Sequence, residues 1–375
     1  MRNDVITRAC AAESSHHKNG GLLIAILSIS LLSGCESNST GPVPVVVHAG
    51  SPRTFRMGFS PIPPRADFAS LVSALELWSI RADAAIISYE VPWDSLLSGV
   101  TAESLCFRIV VPLANYFRFR GHTLWVYVDP ANGLNRAGEA DALVRRGRSF
   151  SEAAIQALYR RWVTVVDSST RPEHLGLALE TNLIRGLSPP PLYAAIKQAV
   201  NAAAAEIRGR DAAVKLSVSV QVDYAWGLYG GTYQGVDVDF ADFPFMQELG
   251  LSSYPFLAGF ATPEDVPLNF YARLVAGRSI PVMVTEGGWS SATLYSLVSS
   301  QDEQRRYIFR QAQLLDSVRA IAVFQLAFTD LDLVATPPPP GSILPLFANL
   351  GLVDINLVPK AALAAWDSLY RRPLQ

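Results

Sequence analysis

The feature that most constrains this chain is an alternation. Short apolar runs rich in β-branched residues recur between positions 55 and 326, with helical stretches between them. The runs are Phe55–Ser60, Ala84–Tyr89, Thr123–Val128, His174–Leu179, Lys215–Val222, Phe245–Ser253, Ile280–Thr285 and Ala320–Leu326. Ala66–Trp78, Ser151–Val166, Leu192–Arg208 and Asp302–Leu315 have helical spacing, and Ala361–Tyr370 closes the chain as a helix. Ser151 stands as the cap of its helix, with Ala154, Leu158, Trp162 and Val165 on one face. Near-continuous apolar runs suit strands buried on both faces, and strand–helix alternation makes such strands parallel. Eight strands over roughly 270 residues match a (β/α)8 barrel, the TIM-barrel architecture, whose usual size is ~250 residues. A doubly wound open sheet is the competing α/β arrangement. It usually carries a glycine-rich phosphate turn after its first strand, and Ser60-Pro61-Ile62-Pro63-Pro64 stands there instead.

A barrel brings the C-terminal ends of its strands to one mouth, where the chemistry of such proteins sits. The polar and aromatic residues at those ends therefore become neighbours: Glu90 and Trp93, Asp129 and Asn132, Glu180 and Asn182, Asp223 and Trp226, Tyr254, Glu286 and Trp289. The seventh end is the most informative. Glu286 follows the buried run Val282-Met283-Val284-Thr285 and precedes Gly287-Gly288-Trp289. A carboxylate there cannot lie deep in a core without a partner. The glycines let the backbone turn sharply, and the indole offers a flat apolar face. A carboxylate beside an aromatic platform is what a sugar site needs. Taken alone, the same nine residues also fit a solvated strand-end glutamate and a packing tryptophan. Several carboxylates around one mouth suit glycoside hydrolysis, which needs one carboxyl protonated and a second ionised.

Half of the 375 residues are hydrophobic and 17% are charged, which excludes a disordered chain. Net charge is -2 and the arginines are scattered, so nucleic acid is not an expected partner. Gly21–Ser33 is apolar apart from a few serines, too short to span a bilayer and as long as a signal-peptide core. It ends in Leu32-Ser33-Gly34-Cys35, similar to a bacterial lipoprotein signal in which cleavage precedes a lipidated cysteine. The expected organisation is therefore a signal peptide over 1–34, lipidated Cys35 with a flexible tether to residue 52, and one barrel domain over 53–375. The expected address is the bacterial cell envelope, periplasmic or on the outer-membrane surface, held by the lipid. Cys106, between Leu105 and Phe107, reads as a buried, inert thiol. His16, His17, His48, His122 and His174 include no pair with metal-ligand spacing, so neither a metal nor another cofactor is expected.

Three segments carry a family resemblance. They are Leu177-Ala178-Leu179-Glu180-Thr181-Asn182, Leu251-Ser252-Ser253-Tyr254-Pro255-Phe256 and Val284-Thr285-Glu286-Gly287-Gly288-Trp289. In order and spacing the chain resembles clan A glycoside hydrolases, and within them it is most similar to the endo-β-1,4-galactanase family. A fourth echo is Asn349–Asp354 followed by Pro359-Lys360. The resemblance implies that Glu180 is the acid/base, Glu286 the nucleophile and Tyr254 the nucleophile's partner. It departs in three places. Leu179 replaces an asparagine that binds the sugar 2-OH, the second strand has Ser88-Tyr89-Glu90 where an arginine is usual, and the eighth lacks a tryptophan platform.

The expected protein is thus a monomeric lipoprotein acting as a retaining β-glycosidase on a β-linked polysaccharide or oligosaccharide. Trp93, Trp226, Trp289, Tyr254, Asn182, Glu90 and Asp129 are its expected substrate-binding residues. The alternatives are a non-catalytic carbohydrate-binding barrel and a structural lipoprotein with no sugar site.

Overall fold

The computed structural model describes residues 51–375. The signal segment, Cys35 and all but the last two residues of the tether lie outside the described residues. The strands are β1 (Arg56–Phe59), β2 (Ala84–Glu90), β3 (Thr123–Asp129), β4 (His174–Gly176), β5 (Lys215–Gln221), β6 (Glu248–Ser253), β7 (Val282–Gly287) and β8 (Ala322–Gln325). They form one sheet in the order β1-β8-β7-β6-β5-β4-β3-β2, and every pairing is parallel. The remaining seam, between β1 and β2, is drawn together at Asp83. Its backbone N–H donates to the Met57 carbonyl (3.0 Å) and its carboxylate accepts from the Met57 N–H (2.6 Å). The expected (β/α)8 barrel is the observed fold.

The longer helices are α1 (Phe68–Ser79), α2 (Ala102–Ile109), α3 (Val111–Phe119), α4 (Ala153–Thr170), α5 (Pro190–Arg208), α6 (Gln301–Val318) and α7 (Ala361–Tyr370). Asp67 caps α1 by accepting from the Ser70 N–H, and Ser300 caps α6 in the same way from Glu303. The start of α4 differs from the expectation. Ser151 is no cap, because its N–H donates to the Ser149 hydroxyl (3.1 Å) in a turn, and the helix begins after Glu152. Strand β6 starts three residues later than expected, because Phe243–Met246 closes a turn. The ladder of β4 covers three residues only. Beyond Gly176 the chain keeps bonding to β5, through Leu177 N–H and the Ser217 carbonyl (3.0 Å), but has no further partner in β3. The fifth and sixth connections lack a long helix. One holds the short helices Val222–Ala225 and Asp237–Asp242 and the other two 3-10 turns, Pro263–Asp265 and Ala272–Val275.

The barrel is filled below its mouth. Ala84, Ile86, Trp125, Tyr127, Leu179, Met283, Ala322 and Phe324 form an inner core. Tyr127 crosses the interior to bond Ser217 (2.7 Å), and the missing side chains of Gly176 and Gly250 make room for it. A Cβ at Gly176 would stand 2.0 Å from the Tyr127 ring, so even alanine there would eject the tyrosine. Each fully buried Leu, Met or Phe of this core contributes ~1.5–3 kcal/mol by leaving water. The base is closed by Trp125 stacked on His174 at 3.8 Å, with His174 Nδ1 2.7 Å from Glu248. Leu179, expected only as a departure from a family pattern, is the upper layer of this plug and the floor of the mouth.

Candidate active site at the barrel mouth

Glu180 follows the extended end of β4 and takes a left-handed backbone (φ 49°), uncommon for a residue with a side chain. Two contacts hold it there. Its N–H donates to the Ser219 hydroxyl of β5 (2.9 Å), and its carbonyl starts the short helix Thr181–Leu187. The side chain is nearly buried and meets two donors. Arg136 Nε donates to Oε2 (2.8 Å), and the Ser252 hydroxyl of β6 donates to Oε1 (2.7 Å).

Glu286 arrives from β7 through an irregularity. Leu251 pairs with Val284 but Ser252 pairs with Glu286, so Thr285 is an extra residue in the strand. Such a bulge re-aims the following side chain. Thr285 packs toward the site of Gly250, on the interior, and Glu286 lies where the charges of Glu180 and Arg136 act on it. Ser252, the register partner of Glu286 across the β6–β7 ladder, donates its hydroxyl to Glu180, so one residue of β6 adjoins both glutamates. Glu286 is partly buried and has no cation of its own. Burial, then the charge of Glu180, pushes its carboxyl up to about 8.

Arg136 is the organising cation, and sequence reasoning missed it. Its Nη1 bonds Asp129 at the end of β3 (2.6 Å), so one guanidinium joins Asp129 to Glu180. The loop that carries it is a turn nucleated by Asn132, whose amide oxygen accepts from the N–H groups of Leu134 and Asn135. The Asn132-Gly133 pair signals that turn in the sequence, but nothing in the sequence shows where the arginine four residues on will aim. Arg136 supplies a guanidinium to a mouth whose second strand lacks one. It goes to Glu180, however, not to Glu286.

Two further carboxyls face the same region without a cation. Glu90, open to solvent at the rim but enclosed on its other sides, is pushed up to about 7 by burial and by Asp129. Asp223 is fully buried beyond β5 and is pushed up to about 7, first by burial. Its Oδ2 accepts from Gln221 (2.8 Å) and from the Tyr254 N–H (3.2 Å), while Oδ1 is buried with no partner.

The other expected residues divide. Tyr254 is buried beside the pair, and the charges of Glu286 and Glu180 add to burial in raising its hydroxyl well above its ordinary value. It bonds neither glutamate; its ring stands edge-on to Phe347 at 5.0 Å. Trp289 is corrected from sugar platform to core. After the glycine pair its indole enters the layer under α6, bonds the Ser299 hydroxyl (2.9 Å) and packs on Tyr307 at 5.2 Å. Trp93 is corrected in the same way, being 1% exposed with its edge on Phe150. Asn182 is spent on the backbone: its amide donates to the Gln221 carbonyl and its oxygen accepts the Gln221 N–H (2.9 and 2.8 Å), pinning β4 to β5. Trp226 stays partly exposed, but Phe270 and the Arg273 guanidinium, 4.7 Å from its ring centre, lie against it. Asp129 is committed to Arg136 and to the Ala131 N–H. Cys106 is buried and its thiol is pushed up to about 11 by burial, as its apolar setting leads one to expect. Among the described residues no group of three or more His, Cys, Asp and Glu could hold a metal ion.

No family profile and no curated protein sequence matches the chain. Its fold is shared with many glycoside hydrolases. An exo-β-1,4-mannosidase from Opitutaceae bacterium strain TAV5 superposes with a TM-score of 0.58 at 15% identity, over 85% of this chain and 60% of that one. A family 1 β-glucosidase from Thermotoga maritima gives 0.57 at 12%, over 86% of this chain and 99% of the enzyme. Xylanase 10B from Thermotoga maritima gives 0.51 at 13%, over 84% and 95%. The chain spans about 60% of the length of the mannosidase and 53% of a β-glucuronidase from an uncultured Clostridium. Such identities establish the TIM-barrel fold and no kinship; none of these three is a galactanase.

Proposed function

We propose that the protein is a retaining β-glycosidase that hydrolyses a β-linked polysaccharide or oligosaccharide by double displacement, with Glu180 and Glu286 as its two carboxyls. The observation that carries this reading is the pair itself. Both glutamates stand beside Ser252 at the C-terminal end of the barrel, and their surroundings differ in the way two-carboxyl catalysis requires. One is bonded to a guanidinium; the other's carboxyl is pushed up to about 8 by burial and by its neighbour's charge. The shared fold with the mannosidase, β-glucosidase and xylanase supports the same class of substrate. Lipidated Cys35 would tether a monomeric barrel to the bacterial envelope, where such polymers are met.

The test is a screen of β-linked plant and bacterial polysaccharides with the Cys35→Ala protein, read for binding and for new reducing ends. Release of a sugar of retained anomeric configuration supports the proposal. Binding without release favours a non-catalytic sugar-binding barrel. One observation favours that second reading: Arg136 already occupies the mouth against Glu180, and both side chains are almost fully buried. Neither binding nor release would leave a structural lipoprotein.

A further inference from the structure

We infer that the base of the barrel, the end away from the two glutamates, is a docking surface for an anionic phospholipid membrane. This goes beyond the glycosidase reading and does not depend on it. The long helices return to the base with their C-terminal ends, and four of them stop on an exposed arginine. These are Arg120 after α3, Arg171 after α4, Arg319 after α6 and Arg371 after α7. A cation at a helix C-terminus offsets the helix dipole, which explains a positive charge there but not a surplus of it. The acids nearby are already answered: Asp83 by Arg53, Glu173 by Arg118, Asp316 by Arg372 and Asp367 by Arg81. Arg120 lies against the Tyr116 ring and Arg371 donates to the Asp367 carbonyl, but none of the four forms an ion pair among the described residues. Arg171 and Arg319 moreover hold left-handed backbones (φ 45° and 50°), the position at a helix end where glycine is the usual resident.

The four lie on one continuous face. The Tyr370 hydroxyl bonds the Ala82 carbonyl (3.0 Å) and joins the end of α7 to that of α1; Tyr116 bonds Ser79 (3.3 Å) and joins α3 to α1. Arg118 donates to the carbonyls of Thr170 (3.1 Å) and Arg171, joining α3 to α4, and Arg372 reaches Asp316 of α6 (3.0 Å). Two uncovered apolar side chains share this face: Ile80, 62% exposed, and Phe119, 87% exposed. Glu76, one turn before Ile80, subtracts one charge. Exposed arginines interleaved with apolar side chains suit the headgroup boundary of an anionic bilayer, where guanidinium meets phosphate and the apolar groups enter the acyl edge. The path of the chain points to the same occupant. Arg372 donates to the carbonyls of Ser51 (2.7 Å) and Pro52 (3.0 Å), so the segment carrying the apolar run Gly21–Ser33 and Cys35 enters the barrel at this end. Residues 36–50 span at most ~50 Å when fully extended, which keeps the base within reach of a surface held at Cys35. With the base on the membrane, the mouth faces away from it and stays open to a polymer.

The test uses the full-length Cys35→Ala protein, so that no acyl chain contributes, and sedimentation with vesicles of phosphatidylcholine alone or mixed with phosphatidylglycerol. Arg120→Glu, Arg171→Glu and Arg371→Glu together should weaken binding to the mixed vesicles by on the order of 10² or more, since each basic residue near such a surface contributes roughly fivefold. The difference should close in high salt and be absent on phosphatidylcholine alone. Arg145→Glu, Arg146→Glu and Arg148→Glu change the net charge equally beyond the C-terminal end of β3, on the mouth side, and should leave binding unchanged. Equal losses in the two triples, or no loss in the first, would overturn the inference. A photoreactive p-benzoylphenylalanine at position 119 reads the same face without altering any charge. On mixed vesicles ultraviolet light should join it to lipid, whereas the same probe at position 295, where Tyr295 is 70% exposed on the loop after β7, should gain none. No lipid on position 119, as much lipid on 295 as on 119, or adducts from 119 to a second copy of the chain in place of lipid would each overturn the inference. No sugar enters either assay, so the glycosidase reading stands or falls separately.

Discussion

The two ends of the barrel treat charge differently. At the base the buried Arg53 and Glu248 each have a partner. Arg53 pairs with Asp83 and donates to the Phe55 carbonyl (2.7 Å) and the Arg372 carbonyl (3.2 Å), and Glu248 meets His174 under the stacked Trp125. At the mouth one guanidinium serves Asp129 and Glu180, and no ion pair among the described residues reaches Glu90, Asp223 or Glu286. Satisfied charges lock strand starts in place; a surplus of acid destabilises the fold and keeps protons available near neutral pH. Under the proposed function, the difference separates an end built for stability from an end left free for chemistry.

That contrast can be broken from either side. The largest effect is expected from Glu180→Gln, which should cut turnover of a responsive substrate by on the order of 10²–10⁴ or more, measured as kcat, with the melting temperature little changed. At the base, Arg53→Met should do the reverse. Leaving Asp83 without its cation costs about 3 kcal/mol, visible in urea unfolding, while kcat of the folded fraction stays at the wild-type value. Trp289→Ala should cost ~3–5 kcal/mol in the same assay, because the indole is core rather than platform, and KM should not change. Smaller is a pH effect. Glu286 has a folded value of about 8 against an ordinary 4.5, so the folded chain keeps a proton that the unfolded chain has released. The stability it confers is fully present below about 4.5 and is lost as pH rises toward about 8. Glu90 and Asp223, both near 7, act in the same direction. The melting temperature should therefore fall from pH 5 to pH 8, and Glu286→Gln should flatten part of that fall. The smallest effect belongs to Arg145→Ala, since Arg145 and Asp94 are about half exposed and Arg146 also reaches Asp94; unfolding should shift by less than ~1 kcal/mol.

The barrel is legible in the sequence because its strands are buried on both faces, so apolar runs mark them even where, as at β4, the ladder is only three residues long. The connections are less so. The fifth and sixth units replace a long helix by short helices and turns, and helix-period spacing cannot be read over one or two turns. At the mouth, strand ends locate Glu180 and Glu286, since position along a strand is a one-dimensional property. Side-chain direction is not. Trp93, Trp289 and Asn182 stand at the same ends, but the first two turn into the helical layer and the third is consumed by the backbone of β5. Ser252 was in view only as part of a motif, and Arg136 not at all. Their roles depend on a bulge at Thr285 and on a turn at Asn132, both of which are set by three-dimensional closure of the barrel.

The account is tested most directly by measuring kcat and melting temperature together for Glu286→Gln at pH 8. An acid kept at the mouth for chemistry, and at a cost to the fold, predicts that kcat falls by on the order of 10²–10⁴ while the melting temperature equals or exceeds that of the wild type. A variant that melts lower and turns over substrate as fast as the wild type would contradict it.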